Sequence, residues 1–235
     1  MTEFLFVEET GSTNADMLAL AEQGMAEGTW LRALRQTGGK GRMGRAWESP
    51  EGNLYCSTLV RLRPGDPLPH TLAMVAANAV HALVAPLCGG QARIKWPNDI
   101  LVDGAKIAGI LLERSGDAIV VGIGINVTEH PAGLDRPVTS LFAQAAADAE
   151  AGALQQRLAV LFAHWLGVWR AQGLEPVRAH WQLNAHPPGT PMRVVQPNGE
   201  VVEGCFDSLD RDGMLILRLA NGAARAIHAG DILLI

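Results

Sequence analysis

Twelve consecutive residues, Gln36-Thr37-Gly38-Gly39-Lys40-Gly41-Arg42-Met43-Gly44-Arg45-Ala46-Trp47, set four glycines among three cations, with no acid and no proline. Glycine lets a backbone approach a ligand closely and adopt positive φ. Lysine and arginine offer donors matched to phosphate and carboxylate oxygens. The chemistry this combination suits is the gripping of an anion. The chain as a whole carries a formal charge of -5, so the loop is a local positive exception. A flexible linker shares the glycine-rich composition, but linkers seldom end on an aromatic as large as Trp47.

Three further clusters carry residue types capable of chemistry. Thr10-Gly11-Ser12-Thr13-Asn14 brings hydroxyls and an amide, which also suit a helix N-cap. Lys95-Trp96-Pro97-Asn98-Asp99 is followed by Lys106-Ile107-Ala108-Gly109-Ile110; the lysines read as strand-end charges, and Asn-Asp after proline as a turn. Gly122-Ile123-Gly124-Ile125-Asn126 superficially suggests G-x-G-x-x-G. Val127 takes the last glycine position and no helical pattern follows, so a dinucleotide site is excluded. The seven histidines form no H-E-x-x-H and the three cysteines no C-x-x-C, which leaves no fixed zinc site.

Two kinds of element must position these clusters. A helical pattern follows Ser12-Thr13-Asn14 at Met17, Leu18, Ala21 and Met25. Strands are expected over 29–35 and 53–60, a buried helix over 72–84, and four short strands over 93–96, 100–102, 106–112 and 119–127. Asp103-Gly104 marks a hairpin between two of them. Leu154, Leu158, Leu161, Phe162, Trp165 and Trp169 follow helical spacing, and a shorter helix is expected over 176–183. Pro187-Pro188-Gly189 then breaks the chain, and five short strands follow with turn signals between them, a small SH3-like barrel. The expected fold is α+β: a mixed sheet with helices on one face over 1–186, and an all-β unit over 187–235.

Composition bounds the setting. With 235 residues, 48% hydrophobic and 18% charged, the chain can bury a substantial core. A pI near 5.8 argues against bulk nucleic-acid binding. Three cysteines, an odd number, fit a reducing compartment. No secretory signal is evident at the N-terminus, and no uninterrupted apolar run reaches bilayer length. The expected address is the cytoplasm, with no membrane partner.

Taken together and in this order, the clusters resemble those of the biotin protein ligases, or biotin–[acetyl-CoA-carboxylase] ligases, over almost the whole chain. The family's G-R-G-R-x-G-R loop stands at Gly39 to Arg45, its K-W-P-N-D at Lys95 to Asp99, its K-x-A-G-I at Lys106 to Ile110 and its G-x-G-I-N at Gly122 to Asn126. One departure is Lys40, where the family's loop has arginine; charge is kept and the planar fork lost. The resemblance implies a class II synthetase-like catalytic fold with a C-terminal SH3-like unit. It also implies the monofunctional type, without an N-terminal DNA-binding domain or DNA partner.

The activity implied is a two-step ligation. Biotin and ATP, with Mg²⁺, give biotinyl-5′-AMP and pyrophosphate; a lysine of a biotin carboxyl carrier protein then takes the biotinyl group. By the resemblance, Lys106, Arg42 and Lys95 are the catalytic cations. Ser12, Thr13, Asn14 and Gln36 hold biotin's ureido ring, together with Gly39, Lys40 and Gly41; Arg42, Lys106 and Gly109 complete the biotin site. Arg42, Arg45, Trp47, Lys95, Asn98, Lys106 and Asn126 hold ATP or the adenylate. Mg²⁺ arrives with ATP, and Asn98, Asp99 and Asn126 are candidates to assist it. Small Gly109 and Gly122 let the strands line the pocket closely. The loop 38–47 is expected to be mobile without ligand and to order over the adenylate. A homodimer paired through sheet edges is a further expectation. Octanoyl transferases share the catalytic fold but use a cysteine nucleophile; Cys56 lies in an apolar strand and reads as core.

Overall fold

Every residue of the strand Leu54–Arg61 is buried except the last, and every residue of Ala118–Ile125 except Gly124. Strands buried on both faces need cover on both sides. The computed structural model describes residues 2–134 and 136–235 and provides that cover with helices above and below one sheet. Its strands are β1 (Phe4–Thr10), β2 (Trp30–Gln36), β3 (Leu54–Arg61), β4 (Ala92–Lys95), β5 (Asp99–Val102), β6 (Ala105–Ser115) and β7 (Ala118–Ile125), in the order β1-β2-β3-β7-β6-β5-β4. The pair β1–β2 is parallel and the other pairs antiparallel, so the sheet is mixed as expected.

Helices α2 (Leu72–Val84), α3 (Ala151–Gln172) and α4 (Leu174–Leu183) share one face. There they enclose Val60, Val121, Ile123 and Ile125 in the main core. The sequence reading put the helices on one face, and these three obey it. The short α1 (Thr13–Glu22) lies on the other, with Met17 and Ala21 against Leu31, Leu59 and Val120. Leu59 and Val60 point in opposite directions, and both are fully buried; that requirement brings α1 across.

Local signals set the ends of these elements. Asp103 (φ 48°) and Gly104 (φ 82°) take the two left-handed positions of the tight β5–β6 hairpin. The Glu150 carboxylate accepts the Gly152 and Ala153 N–H groups at 3.1 and 3.2 Å and starts α3. The stretch Pro69–Leu87 is long and apolar enough to cross a membrane by composition, a length the sequence reading did not register. Here it is a core element, with Leu72, Val75, Val80 and Leu83 wholly buried. Strand β1 was also absent from the expected set; its residues are exposed or half-buried because it is an edge strand.

Beyond Pro188, β8 (Pro191–Val195), β9 (Val201–Leu209), β10 (Leu215–Arg218), β11 (Ala224–Ile227) and β12 (Asp231–Leu234) form an antiparallel sheet ordered β11-β10-β9-β8-β12. It is the expected five-stranded unit, and it is not a free appendage. Met192 and Phe206 share a buried cluster with Trp96 and Trp181. The Trp96 indole N–H donates to the Gly213 carbonyl at 3.1 Å, and the Leu209 N–H donates to Gln182 Oε1 at 2.9 Å.

Core packing on the α2 face sets a measurable expectation. Leu83→Ala should lower stability by about 2–5 kcal/mol through lost burial and the cavity left behind. In urea titration it should appear as a lower midpoint with an unchanged slope.

Candidate active site

Gly109 of β6 and Gly124 of β7 are register partners on the face that α1 covers in part. Without side chains they leave a trough in the sheet, and the Trp47 indole lies in it. A Cβ at Gly124 would stand 2.7 Å from the ring, and one at Gly109 3.0 Å from it. Both positions therefore require glycine for the tryptophan to reach the strands.

Trp47 anchors the far end of the glycine-rich loop, which folds back along the sheet. Gly38 N–H donates to the Gly11 carbonyl at 2.8 Å, Trp47 N–H to Gly39 at 2.9 Å and Gly41 N–H to Arg45 at 2.7 Å. Met43 (φ 56°) and Gly44 (φ 72°) reverse the chain at the tip. Lys40 pairs with Ala46 through its backbone and leaves its side chain exposed. At this position the main chain does the positioning, which lysine supports as well as arginine.

At one end of the trough stands a polar wall. Ser12 occupies the N-cap of α1, but its hydroxyl makes no capping bond. Gln36, from the end of β2, takes that role: its Oε1 accepts the Thr13 N–H at 2.9 Å and lies 3.1 Å from Thr13 Oγ1. The capping use read into Ser12 is thus replaced by a side chain distant in sequence. Gln36 Nε2 donates to Ser49 Oγ at 3.0 Å, and Ser49 to the Trp47 carbonyl at 3.0 Å. Behind the wall, Ser57 Oγ lies 2.8 Å from Thr13 Oγ1 and 2.6 Å from Asn14 Oδ1, and Asn14 Nδ2 donates to Glu113 at 2.7 Å. Asn14, expected at the biotin site, is enclosed within the protein with both ends of its amide engaged. A Cβ at Gly122 would collide with that amide, so Gly122 makes room for Asn14.

At the other end lie the cations. Lys106 and Gly109 are three apart and would face opposite ways in a regular strand. A bulge intervenes: Leu101 pairs with Lys106 and Ile100 with Ala108. It turns Lys106 onto the glycine face, so that its Nζ is 3.1 Å from where a Gly109 Cβ would stand. The Lys106 ammonium sits 2.5 Å from Asp99 Oδ1 and 5.1 Å from the Trp47 ring centroid. Lys106 and Asp99 are each 8% exposed. Burial pushes the Lys106 ammonium below its ordinary value against the pull of Asp99, and Arg136 and Arg45 push it the same way. Lys95 is lowered by burial too, reinforced by Lys106 and Arg136. Arg42 donates to the Gly230 carbonyl at 3.3 Å, and Arg45 pairs with Asp231 at 2.5 Å. The entry into β12, Gly230 and Asp231, therefore braces both loop arginines.

The remaining candidates hold backbone. Asn98 Nδ2 donates to the Ile110 carbonyl at 2.6 Å, and Asn126 Nδ2 to Thr139 at 2.9 Å. Among the described residues no group of three His, Cys, Asp or Glu is placed to hold a metal ion. Sequence reasoning missed Ser49, Ser57, Glu113 and the Gly230–Asp231 pair. Only the alternation of β3, which puts Ser57 on the α1 face beside Leu59, could have drawn notice to any of them. The arrangement joins a wall of neutral donors and acceptors to a group of cations around the buried Lys106, as a ligand with an uncharged polar head and an anionic tail requires.

Comparison with known proteins accords with this geometry. The chain matches the Biotin/lipoate A/B protein ligase family over residues 8–128 and the biotin protein ligase C terminal domain over 189–234. A biotin–[acetyl-CoA-carboxylase] ligase of Paracoccus denitrificans is 36% identical over 221 residues, 89% of this chain and 91% of that protein. The bifunctional ligase/repressor BirA of Bacillus subtilis is 34% identical over 97% of this chain and 73% of its own length. The biotin protein ligase of Aquifex aeolicus in complex with biotin and ATP superposes with a TM-score of 0.87 at 26% identity, covering 100% of this chain and 99% of that one.

The buried pair yields a pH-dependent expectation. Asp99→Asn strips Lys106 of its countercharge and should cost about 3–5 kcal/mol at neutral pH. Because the folded-state pKa of Lys106 lies below its ordinary 10.5, the native state releases that proton first as pH rises. Stability from this group then grows with pH across the interval between the two values. Urea titrations should show the deficit of the variant narrowing on the alkaline side.

Proposed function

Because the chain belongs to the biotin/lipoate A/B protein ligase family, we propose that it is an ATP-dependent biotin protein ligase. It activates biotin to biotinyl-5′-AMP with release of pyrophosphate, then transfers the biotinyl group to a lysine of a biotin carboxyl carrier protein. The observation that carries this reading is one trough with two chemically different ends: Ser12, Thr13 and Gln36 at one, and Lys106 with the loop arginines at the other.

Biotin fits that division. Its ureido ring needs paired donors and acceptors, its carboxylate a cation, and the span between them an apolar channel. Trp47, packed down on the bare backbone of Gly109 and Gly124, supplies the apolar surface between them. A carboxylate and a triphosphate repel each other, so bringing them to bonding distance requires preplaced positive charge. Lys106, at the cationic end, bridges the biotin carboxylate and the α-phosphate, while Arg42, Arg45 and Lys95 hold the phosphates. The carboxylate oxygen attacks the α-phosphorus and pyrophosphate leaves. The acceptor lysine's amine then attacks the acyl carbon; AMP leaves with the electron pair of the broken C–O bond, and an amide remains. Trp47 and the loop exclude water from the mixed anhydride in the interval. With no carboxylate cage among the described residues, Mg²⁺ fits here as a companion of the nucleotide phosphates, supplying further charge neutralisation.

Other features support the same reading. A catalytic unit over 1–186 and an SH3-like unit over 187–235 match the break at Pro187-Pro188-Gly189, and β12 gives the second unit a part in bracing the loop. Cys56 is buried and its thiol is pushed well above the ordinary range by desolvation, which suits packing and not the nucleophile of an octanoyl transferase. Three free thiols fit residence in a reducing cytoplasm.

Three outcomes test the proposal. Protein incubated with biotin, ATP, Mg²⁺ and a carrier domain should raise the carrier's mass by one biotinyl group, with lipoate a poor substitute. Lys106→Ala should all but abolish pyrophosphate release while its circular dichroism stays native; near-normal release would remove Lys106 from its role. Amide exchange over 38–47 should slow markedly when biotinyl-AMP binds, as a closing lid requires.

A further inference from the structure

The polar wall ends, away from the trough, on a carboxylate that touches no proposed ligand. Glu113 of β6 accepts from Asn14 Nδ2 at 2.7 Å; Asn14 Oδ1 faces Ser57 at 2.6 Å; Ser57 faces Thr13 Oγ1 at 2.8 Å. Ser57, Asn14 and Thr13 are 0%, 4% and 4% exposed, so no bulk water can exchange partners among them.

The direction of every proton in this chain follows from one end. An ionised carboxylate only accepts, and an amide has a donor side and an acceptor side. Glu113 at 2.7 Å, helped by the more distant Leu111 carbonyl at 3.4 Å, therefore turns the Asn14 NH₂ toward β6 and its oxygen to Ser57. The single Ser57 proton goes to that oxygen, which leaves Ser57 a lone pair toward Thr13. Thr13 has one proton and two oxygen neighbours, Ser57 at 2.8 Å and Gln36 Oε1 at 3.1 Å. The closer contact needs it more, because Gln36 Oε1 already accepts the Thr13 N–H at 2.9 Å. Thr13 thus meets the trough as an acceptor. Gln36, its oxygen held by that N–H, keeps one amide proton beyond the one given to Ser49. An acceptor beside a donor is the complement of one edge of a cyclic urea.

We propose that Glu113 is a positioning residue that sets the donor–acceptor polarity of the ureido-binding wall through Asn14 and Ser57. The proposal rests on the biotin reading above and adds to it a specificity determinant outside the ligand's reach.

The test is steady-state biotin transfer with ATP and carrier saturating, together with calorimetric binding of biotin alone. Wild-type turnover checks the underlying reading; if wild type fails to ligate biotin, that reading falls. If it works, the variants judge Glu113 separately. Glu113→Leu leaves the Asn14 amide oriented only by the long 3.4 Å contact to the Leu111 carbonyl and should raise the KM for biotin about tenfold, the worth of one buried hydrogen bond left unmade. Its kcat should stay within about twofold and its KM for ATP unchanged. Asn14→Asp alone sets two acceptor-only groups against each other and should weaken biotin binding at least as much. Adding Glu113→Gln to it lets the new amide at 113 donate to the new carboxylate at 14, whose other oxygen still accepts from Ser57. The pair restores the same polarity with side chains of unchanged size, so biotin affinity should return to within about threefold of wild type. A biotin KM in Glu113→Leu within twofold of wild type, or a double variant no better than Asn14→Asp, overturns the proposal. So does a loss shared equally by kcat, ATP and biotin. If Glu113→Leu does not fold, the isosteric pair decides.

Discussion

The ammonium of Lys106 has been taken almost out of water and given one close carboxylate, Asp99. Much of the site follows from that placement. A buried cation with other cations nearby is undersatisfied, and the pressures of burial, Arg136 and Arg45 all act against its charge. The site therefore stores an affinity for anions that costs no rearrangement when they arrive, the condition under which electrostatic stabilisation is most effective. It also explains why Trp47 lies where it does. An indole 5.1 Å from the ammonium keeps water away while its ring face favours the charge.

The glycine-rich loop and the C-terminal sheet act as one mechanical unit around that cation. The loop is hung from Gly11 at one end and from the Gly109–Gly124 trough at the other. Its two arginines rest on Gly230 and Asp231, at the start of the final strand. The Arg45–Asp231 pair is substantially exposed, and pairs of that kind contribute little to stability. Its effect is placement, since it ties the loop tip to the C-terminal sheet. The small sheet is itself held by buried contacts to Trp96 and Trp181, so the brace does not drift.

Much was legible beforehand. Helix α2 begins and ends where its unbroken apolar pattern predicts, at Leu72–Val84. The Asp103-Gly104 hairpin is the turn its residues demand. Those features depend on neighbours in the chain, and periodicity reports neighbours well. Edge strand β1 escaped because it lacks a buried face, and α1 changed sides because both faces of β3 and β7 are apolar and only packing reveals where cover is needed. In the site, the clusters around Lys106 and the loop were visible as motifs. Ser57 and Glu113 were not, because a serine or glutamate in a strand resembles any other until the strands are paired.

The sequence by itself determined which residue types are present and how the strands and helices alternate, because charge, glycine and apolar spacing act locally along the chain. Tertiary structure alone decided the rest: a one-residue bulge that turns Lys106 onto the face of Gly109, a glutamine from β2 that caps α1 in place of Ser12, and an aspartate from the last strand that meets the loop. Each is a contact between segments far apart in the chain. The physical reason is that hydrogen bonds and ion pairs depend on distance in space, and spacing along the chain carries that distance only within a single element.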